Sequence, residues 1–409
     1  MRPKLRFKDF EDVWVSHKLE ESVHYTKGYA FKSENYSTNG GRIIRASDLK
    51  PNNIVAAEGI CYPVDELRSL SKYKLKQGDI VITTVGSQPH LIESAVGRVH
   101  YFHSEIEDYY LNQNMVFLRT KNDKPHKFLS LIFQRHQYAR YIKIIKRGNA
   151  NQANITVQDL LRYRFQLPQF NEQVKLGNLF NSLDQKINLL TKKKEALETY
   201  KKGLMQKIFS QELRFKREDG TDYPEWKNLS LKDGVSDFVV PMRDKPKEFN
   251  GEVDWCRIED IENGFINGSI AALRVSNEVI SSMNLKVLPI GSVIISCSAY
   301  LGVCARVTKP LITNQTFIGL VPNDRVTTDF LYHLMTTKER ILNRLSSGTT
   351  ISYLSRSEFE RLNIKLPCLE EQKKISSTLN VADNSIISVE SQIRTTHKLK
   401  KGLLQQMFV

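Results

Sequence analysis

The most regular hydrophobic pattern of the chain lies in residues 165–210. Apolar residues recur there with a heptad period, and leucine fills one of the two apolar positions in every period. This pattern is typical of a helix that packs against another helix in a coiled coil. At 1.5 Å per residue, roughly 37 residues predict a rod of about 55 Å. The leucines are Leu176, Leu183, Leu190, Leu197 and Leu204.

The same segment occurs a second time, in residues 364–409. A shift of 199 positions aligns the two copies without a gap, and 14 residues are identical. Each copy begins with Leu-Pro and Glu-Gln and ends with Lys-Lys-Gly-Leu and a phenylalanine. The chain is therefore an internal duplication. We expect two long antiparallel helices, related by a pseudo-twofold axis, that form one coiled coil; two separate core helices that never meet are the alternative.

Lys194 and Lys201 interrupt the predicted seam of the first copy, and we expect Thr396 and Lys400 to be weak points in the second. Gly203 and Gly402 lie inside helical sequence, where glycine costs about 1 kcal/mol relative to alanine. A close crossing of the two helices would explain both glycines. The predicted helix–helix interface consists of Leu176, Leu183, Ile187, Leu190, Leu197, Leu204, Ile375, Leu379, Ile386, Ile393 and Leu403.

Motifs upstream of each long helix also occur twice and in one order. They are Leu-Arg-Phe followed by Trp, an Arg-x-x-Asp strand end, a glycine turn before an apolar run, and Asn-Gln before another apolar run. Short apolar runs bounded by turns indicate strands. Each half also has a helical pattern, over Phe128–Ile145 and Asp329–Leu345, and a glycine loop. The predicted fold belongs to the α/β (α+β) class, with β-rich domains at 1–165 and 211–364 and long helices at 166–210 and 365–409.

Composition adds a strong positive charge to this picture. The 409 residues carry a formal net charge of +15, which favours a polyanionic partner. Residues 1–210 hold 34 Lys and Arg against 21 Asp and Glu, a net +13, whereas residues 211–409 hold 26 against 24, a net +2. The N-terminal sequence lacks the apolar stretch of a signal peptide, and we expect a cytoplasmic protein.

Motifs for catalysis are absent from the sequence. It contains no phosphate-binding G-x-x-x-x-G-K-[ST] loop, no H-E-x-x-H, no G-x-S-x-G and no dinucleotide G-x-G-x-x-G. The five cysteines are scattered and do not have the spacing of a zinc site, so we expect reduced core residues and no metal. We predict a chain with no catalytic residues of its own.

The order of the duplicated motifs resembles the specificity subunits of type I restriction-modification enzymes. The resemblance covers nearly the whole chain, from Leu5-Arg6-Phe7 to the final Lys-Lys-Gly-Leu repeat. It implies that each β-rich domain is a target recognition domain for one half of a bipartite DNA sequence. It also implies that the helices are conserved regions that space these domains.

The partners and cofactors follow from the resemblance as well. It implies double-stranded DNA, two methyltransferase subunits docked on the helices and restriction subunits that drive translocation and cleavage. S-adenosylmethionine, ATP and Mg²⁺ would bind those partner subunits, and no cofactor is expected in this chain. Neither the DNA sequence nor the presence of a restriction subunit follows from these residues.

Candidate DNA-binding residues lie where the two halves diverge. Positions that match in both halves, namely Arg45/Arg257 with Asp48/Asp260 and the Asn-Gln pairs, are predicted to be buried structure. Lysines in the divergent loops would contact phosphates, and Arg, Asn and Gln can pair with base edges. The candidates are Lys27, Tyr29, Lys32, Ser87, Gln88, Lys143, Lys146, Arg147, Asn149 and Gln152 in the first half, and Arg243, Lys245, Lys247, Ser298, Tyr300, Arg344, Thr349 and Thr350 in the second.

Two other interpretations fit parts of the sequence. A coiled-coil scaffold whose domains bind protein or another polyanion would have the same heptads and duplication, but it leaves the basic first half unexplained. A detached specificity module of a fused restriction-methyltransferase system is the other. Fused enzymes carry methyltransferase motifs in the same chain, and this chain has none.

Overall fold

The computed structural model describes residues 2–50, 53–54, 60–87, 96–102, 108–121, 126–148, 152–297, 301–346 and 354–409. The chain divides into two compact units: unit 1 is Met1–Leu189 with Ile393–Val409, and unit 2 is Leu190–Gln392. This division passes through both long helices. Each unit therefore contains one β-rich domain, the first part of one long helix and the last part of the other.

Unit 1 is a set of small sheets packed on helices. Its main sheet has the order β2-β11-β7-β9, and two three-stranded sheets have the orders β10-β3-β6 and β12-β13-β8. Strand β1 pairs with β14, and β4 with β5. The strands are β1 (Val15–Lys18), β2 (Val23–Lys27), β3 (Gly41–Ile44), β4 (Leu49–Lys50), β5 (Asn53–Ile54), β6 (Cys61–Tyr62), β7 (Ile80–Thr83), β8 (Val85–Gly86), β9 (Val99–Tyr101), β10 (Tyr109–Leu111), β11 (Met115–Thr120), β12 (Arg147–Gly148), β13 (Ala153–Asn154) and β14 (Arg164–Leu167). The helices are α1 (Leu19–Ser22), α2 (Val64–Arg68), α3 (His126–Ile132), α4 (His136–Ile145), α5 (Val157–Leu161) and the long α6 (Phe170–Phe209).

Unit 2 has one larger sheet, with the order β16-β24-β21-β22-β19-β18. A three-stranded sheet has the order β20-β17-β23, and β15 pairs with β25. The strands are β15 (Lys227–Ser230), β16 (Val235–Val239), β17 (Val253–Cys256), β18 (Ile261–Glu262), β19 (Phe265–Ile266), β20 (Arg274–Val275), β21 (Val293–Ser296), β22 (Cys304–Val307), β23 (Leu311–Thr313), β24 (Phe317–Pro322) and β25 (Asn363–Leu366). The helices are α7 (Asn277–Ser282), α8 (Thr328–Thr337), α9 (Glu339–Ser346), α10 (Arg356–Glu360) and the long α11 (Leu369–Gln406).

The two apolar runs that follow the glycine turns form the central strands β7 and β21. All four residues of each strand are buried, as expected for runs rich in β-branched residues. Strand β7 pairs antiparallel with β11, and β21 pairs antiparallel with β24. The predicted strands are confirmed in both units, and the matching neighbours give the two domains one common core topology.

Each predicted helix between the strands and the glycine loop is in fact two helices. Helix α3 ends at Ile132 and α4 begins at His136, and α8 ends at Thr337 before α9 begins at Glu339. The prediction of one continuous helix in each half was therefore wrong. The apolar period runs across both breaks because the paired helices bury the same side against one core, as Phe128 and Tyr138 do in unit 1.

A buried glutamate joins the opening of each half to its long helix. In unit 1, Arg6 donates two hydrogen bonds to Glu172, of 2.8 Å from Nε and 2.7 Å from Nη2, and the Trp14 indole donates a third of 3.2 Å. The glutamate is 1% exposed, and its position in the first turn of α6 also suits a negative charge. This cluster explains why Leu-Arg-Phe, Trp and Glu-Gln recur together.

The same cluster occurs in unit 2. Arg214 donates to Glu371 from Nε at 3.3 Å and from Nη2 at 3.1 Å, and the Trp226 indole donates at 3.1 Å. Glu371 is fully buried in the first turn of α11. The side-chain amides of Gln173 and Gln372 bind the carbonyls of the prolines that precede each helix, at 2.7 and 3.0 Å.

The lysines that interrupt the heptad seam form ion pairs with the other long helix. In unit 2, Lys201 of α6 pairs with Asp383 of α11. In unit 1, Lys400 of α11 pairs with Asp184 of α6 at 2.6 Å. These pairs are equivalent under the duplication, so each lysine makes a specific contact with the other helix, which the heptad pattern did not predict. Charged pairs of this kind select the register and partner of a coiled coil.

Burial of the predicted seam residues agrees with helix packing in each unit. Leu176, Leu183 and Leu403 contribute to one apolar cluster of unit 1, and Ile375 and Leu379 to the core of unit 2. The order of contacts within each unit makes the two helices antiparallel there. All eleven seam residues are buried or half-buried, the others being Ile187, Leu190, Leu197, Leu204, Ile386 and Ile393.

The close crossing predicted at the two helical glycines does not occur. Within the described residues, a Cβ atom built on Gly203 or Gly402 would meet no atom within 4 Å. The glycines therefore have open space beside them, and contact between the helices does not account for them.

The five cysteines are free thiols, and four of them are buried. Burial raises the pKa of Cys256 and of Cys304 to about 12, so both stay protonated in the core. The described residues contain no cluster of three or more His, Cys, Asp or Glu that could hold a metal ion. In the same part of the chain, no helix has the length and apolar character needed to cross a membrane.

Candidate nucleic-acid interface

Two of the predicted DNA-binding segments of unit 1 are neighbours in one small sheet. Strand β13 lies between β12 and β8, with Ala153 opposite both Gly148 and Gly86. This pairing puts Gln152 beside Ser87, with Arg147 on the other side of β13. The sequence separates these residues by about 60 positions, and the sheet brings them together.

A third predicted DNA-binding segment contains Lys27, Tyr29 and Lys32. The tight turn between β10 and β11 connects it to the two segments around Ser87 and Arg147. On one side, the amides of Gly28 and Tyr29 donate to the carbonyls of Met115 and Leu111, at 2.9 and 2.8 Å. On the other side, the Thr84 amide donates to the Asn114 carbonyl at 2.9 Å, directly before β8. We call this group the edge of unit 1, defined as residues 27–32, 84–87, 112–115, 146–148 and 152–153.

Close backbone approach fixes one corner of this edge. A Cβ atom on Gly28 would lie 1.9 Å from the Asn112 carbonyl oxygen, so no larger residue fits there without moving the turn. Gly148 adopts a φ of 124°, a conformation that L side chains rarely adopt. The backbone of the edge is therefore closely packed, and it fixes the positions of the polar side chains around it.

The candidates of unit 1 differ in their surroundings. Lys27 and Lys143 are exposed, and Lys32 is exposed with its ammonium 3.6 Å from Glu34. Tyr29 is half-buried, and its ring lies 5.1 Å from both Phe31 and Tyr73, which makes it part of an aromatic cluster.

Arg147 is exposed at the edge, and its guanidinium donates to Asp159 at 2.7 Å. Lys146 directly follows α4 and is half-buried, whereas Gln152 is exposed. Gln88 and Asn149 lie outside the described residues. The structure thus brings Ser87, Arg147 and Gln152 to one place, and Lys143 stands one turn away on α4.

In unit 2, three of the four candidates within the described residues lie on one loop between β16 and β17. Arg243, Lys245 and Lys247 are all exposed. The Lys245 ammonium lies 5.5 Å from the ring of Phe249 and 5.7 Å from that of Trp255, within the range of a cation–π contact. Arg344 lies in α9. Ser298, Tyr300, Thr349 and Thr350 are outside the described residues.

The matching Arg-x-x-Asp motifs are structural, as predicted. Asp48 is buried and accepts a hydrogen bond of 2.9 Å from the Arg45 amide, together with contacts from the Arg45 guanidinium. Asp260 is buried and accepts from the amides of Arg257 and Ile270, both at 2.7 Å. Each motif closes one turn of 3-10 helix after a strand, which explains why both halves have it.

The matching Asn-Gln motifs split into two roles, and the prediction was right for only one of them. Asn112 is buried and Asn314 is half-buried, where its carboxamide oxygen accepts from the Thr316 hydroxyl at 2.6 Å. Gln113 and Gln315 are both exposed, which contradicts the expected burial. The sequence signal for Gln113 and Gln315 was their presence in both halves. We interpreted this repetition as a sign of a structural role for both residues of each Asn-Gln pair.

The sequence matches one protein family in both halves. The profile of the type I restriction modification DNA specificity domain matches residues 11–199 and 225–396, which is most of the chain. Each match contains one β-rich domain and most of the long helix that follows it.

Similar proteins carry specificity-subunit names. The chain is 22% identical, over 98% of its length and 94% of the relative, to a putative type I restriction enzyme MjaX specificity subunit of Methanocaldococcus jannaschii. It is 28% identical over 49% of its length and 48% of the relative to the type I restriction enzyme MjaIX specificity subunit of the same organism. It is 22% identical over 79% of its length and 85% of the relative to the HindI specificity subunit of Haemophilus influenzae.

Solved structures have the same fold. The crystal structure of a type I restriction-modification system S subunit from M. genitalium superposes with a TM-score of 0.66, at 15% identity, over 100% of this chain and 99% of that one. A chain from a study of complex assembly and conformational transition of the type I system gives a TM-score of 0.55, at 16% identity, over 97% of each chain.

Proposed function

This chain belongs to the family of type I restriction-modification DNA specificity proteins, and we propose that it reads a bipartite DNA sequence without catalysing a reaction itself. Residues 1–165 and 211–364 are the two target recognition domains in this proposal. Each reads one half-site, and methylation and cleavage are carried out by other subunits. S-adenosylmethionine, ATP and Mg²⁺ belong to those subunits.

The observation that carries this proposal is a backbone arrangement at the edge of unit 1 that recurs in unit 2. In unit 1, the Ile155 amide donates to the Thr84 carbonyl and the Thr84 amide to the Asn114 carbonyl, both at 2.9 Å. In unit 2, Leu354 donates to Cys297 at 3.0 Å and Cys297 to Thr316 at 2.8 Å. One backbone arrangement thus occurs in both units, next to segments whose sequences differ, as expected for two readers of different sequences.

The charge distribution supports DNA as the partner of the first domain in particular. The edge of unit 1 carries Lys27, Lys32 and Arg147, and Lys143 stands nearby. Exposed cations of this kind attract the phosphate backbone and release counterions, so binding should weaken as salt rises. The loop with Arg243, Lys245 and Lys247 would do the same in the second domain.

Exposed apolar residues on the long helices support the docking of two identical protein partners. Phe170 and Leu369 are equivalent under the duplication and are 52% and 41% exposed, and the equivalent pair Tyr200 and Leu399 is 61% and 51% exposed. Single exposed apolar residues are common on protein surfaces, but their recurrence at equivalent positions of both copies favours an interaction surface present twice. We assign these surfaces to two methyltransferase subunits; restriction subunits complete the complex in the proposal, which is placed in the cytoplasm.

Co-expression with a type I methyltransferase subunit tests the proposal. N6-methyladenine is then mapped by single-molecule sequencing of the host DNA. The proposal predicts methylation at one bipartite motif with a fixed spacer. A stable complex that methylates no motif would contradict sequence reading and favour a scaffold role.

A further inference from the structure

Gln113 and Gln315 occupy the same place at the tips of two equivalent turns. Each is the second residue of the tight turn that enters the long strand of its domain, β11 in unit 1 and β24 in unit 2. Both side chains are exposed. Within the described residues, no hydrogen bond of either side-chain amide is found that would give it a role in the fold.

The same backbone contacts hold both turns. The Asn112 amide donates to the Ile44 carbonyl, and the Asn314 amide donates to the Cys256 carbonyl, both at 3.0 Å. The residues that follow the glutamines, Asn114 and Thr316, accept the hydrogen bonds from the segment after the central strand described above. The two glutamine side chains therefore start from matched and rigidly held backbone positions.

In unit 1 this turn lies at the centre of the edge. Tyr29 is bonded to the turn on one side, and on the other side Thr84 leads directly into β8, which pairs with the glycine-loop strand. Gln113 therefore projects from the middle of the surface to which we assign DNA binding. Its surroundings differ from those of Gln315, since the next residue is Asn114 in unit 1 and Thr316 in unit 2.

An identical exposed residue between divergent loops points to a ligand group that both half-sites share. Two half-sites of different sequence have the sugar-phosphate backbone in common, and side-chain amides of glutamine are established donors to phosphate oxygens. A neutral donor positions the backbone without reading a base. We propose that Gln113 and Gln315 each donate a hydrogen bond to a phosphate at the equivalent point of their half-site and so set the depth at which the divergent loops meet the bases.

This inference rests on the proposed DNA-reading function, and the test keeps the two apart. The complex of this chain with its methyltransferase subunit is prepared with Gln113→Ala, with Gln315→Ala and with both. Affinity for a duplex carrying the methylated motif is measured at several salt concentrations, and the motif is mapped again for each variant. Gln134→Ala, at an exposed glutamine between α3 and α4, is the matched control.

We expect each variant to lose roughly tenfold in affinity, the size of one hydrogen bond to a charged group. The two losses should multiply in the double variant, the motif should stay unchanged, and the salt dependence should stay unchanged because a neutral side chain releases no counterion. Melting temperatures should match the wild type, since both side chains are exposed.

Three outcomes would overturn the inference. Unchanged affinity of both variants would show that the glutamines do not contact DNA. A motif relaxed at one base of the corresponding half-site would show that they read bases. A wild-type complex that methylates no motif would remove the proposed function, and this inference with it.

Discussion

Units 1 and 2 share the contacts that fix the long helices and differ in the sheets around them. The Arg–Trp–Glu cluster and the Lys–Asp pair between helices occur in both, with the same residue types at equivalent positions. Among the described residues, the main sheet has four strands in unit 1, but in unit 2 the β18–β19 hairpin extends it to six. The contacts that hold the long helices are thus the same in both units, whereas the sheets and loops around them have diverged since the duplication.

Removing the buried glutamate should have the largest effect, with the greater loss in unit 1. Glu172→Ala leaves the partly buried Arg6 without its partner, whereas after Glu371→Ala the Arg214 guanidinium keeps its ion pair with Glu225 at 3.1 Å. Breaking a buried pair in this way costs about 3–5 kcal/mol. Hydrogen exchange resolved by unit measures the loss, which should stay in unit 1 for the first variant and in unit 2 for the second. Exchange that remains unchanged would contradict the importance of the cluster.

A drop in pH should destabilise both units through one buried histidine in each. Burial, with nearby Arg98, lowers the pKa of His100 to about 4. Burial also lowers the pKa of His333 to about 4, despite its 2.9 Å contact with Asn380. The unfolded chain binds these protons from about pH 6.5 downward and the folded chain only near pH 4, so stability falls as pH falls through that window, by on the order of 3 kcal/mol for each histidine.

Denaturant unfolding at pH 7, 5.5 and 4 measures this loss, and His100→Leu separates the two units. The variant should flatten the pH dependence of unit 1 and leave that of unit 2 as it was. The same slope in the variant and the wild type would rule out His100 as the source.

Replacing the two interhelical lysines should lower the free energy of unfolding by different amounts, because their aspartates have different partners. Asp184 pairs with Lys400 and also with Lys127 at 2.7 Å, and these hydrogen bonds hold its pKa below the usual value although burial raises it. Asp383 has Lys201 as its ion-pair partner among the described residues. Lys201→Met should therefore cost about 2 kcal/mol, and Lys400→Met less, in the free energy of unfolding. Equal costs would argue against the role of Lys127.

Arg147 should matter for DNA and not for folding. Arg147→Ala is expected to weaken DNA binding by the assembled methyltransferase about tenfold and to reduce the dependence of log affinity on log salt by about one charge. Arg162→Ala is the matched control, because Arg162 is 72% exposed and contacts the same Asp159. Affinity of the Arg147 variant that equals the wild type at every salt concentration would count against the edge of unit 1.

The helical glycines should give the smallest effect, and it should be stabilising. With open space at both positions, Gly203→Ala and Gly402→Ala should each raise the free energy of unfolding by about 1 kcal/mol. Thermal denaturation of the two single variants measures this change. Destabilisation by either one would indicate a contact at that glycine.

Much of this architecture was predictable because the chain is an internal duplication, so that its two halves can be compared with each other. The heptads and the Glu-Gln entry predicted both long helices, and the apolar runs predicted β7 and β21. The partners of Lys201 and Lys400 were not predictable, since a heptad pattern does not reveal an aspartate about 180 or more positions away. The breaks before His136 and at Lys338 were missed because the apolar period continues across them.

The candidate site was predictable only in outline. Divergence between the halves indicated the loops, but the pairing of β8 with β13, which joins Ser87 to the Arg147 loop, depends on tertiary structure. The rule that matching residues are buried held for Asp48 and failed for Gln113, because a residue can be kept twice for a shared ligand as well as for a shared fold.

One measurement tests the central claim that each domain reads its own half-site. Residues 211–364 are replaced by a copy of residues 1–165, with both long helices and their Lys–Asp pairs kept, and the methylated motif of the assembled enzyme is mapped. The account predicts a motif with the half-site of the first domain in both halves. An unchanged motif from a folded and active enzyme would contradict it, because sequence reading would then lie outside these domains.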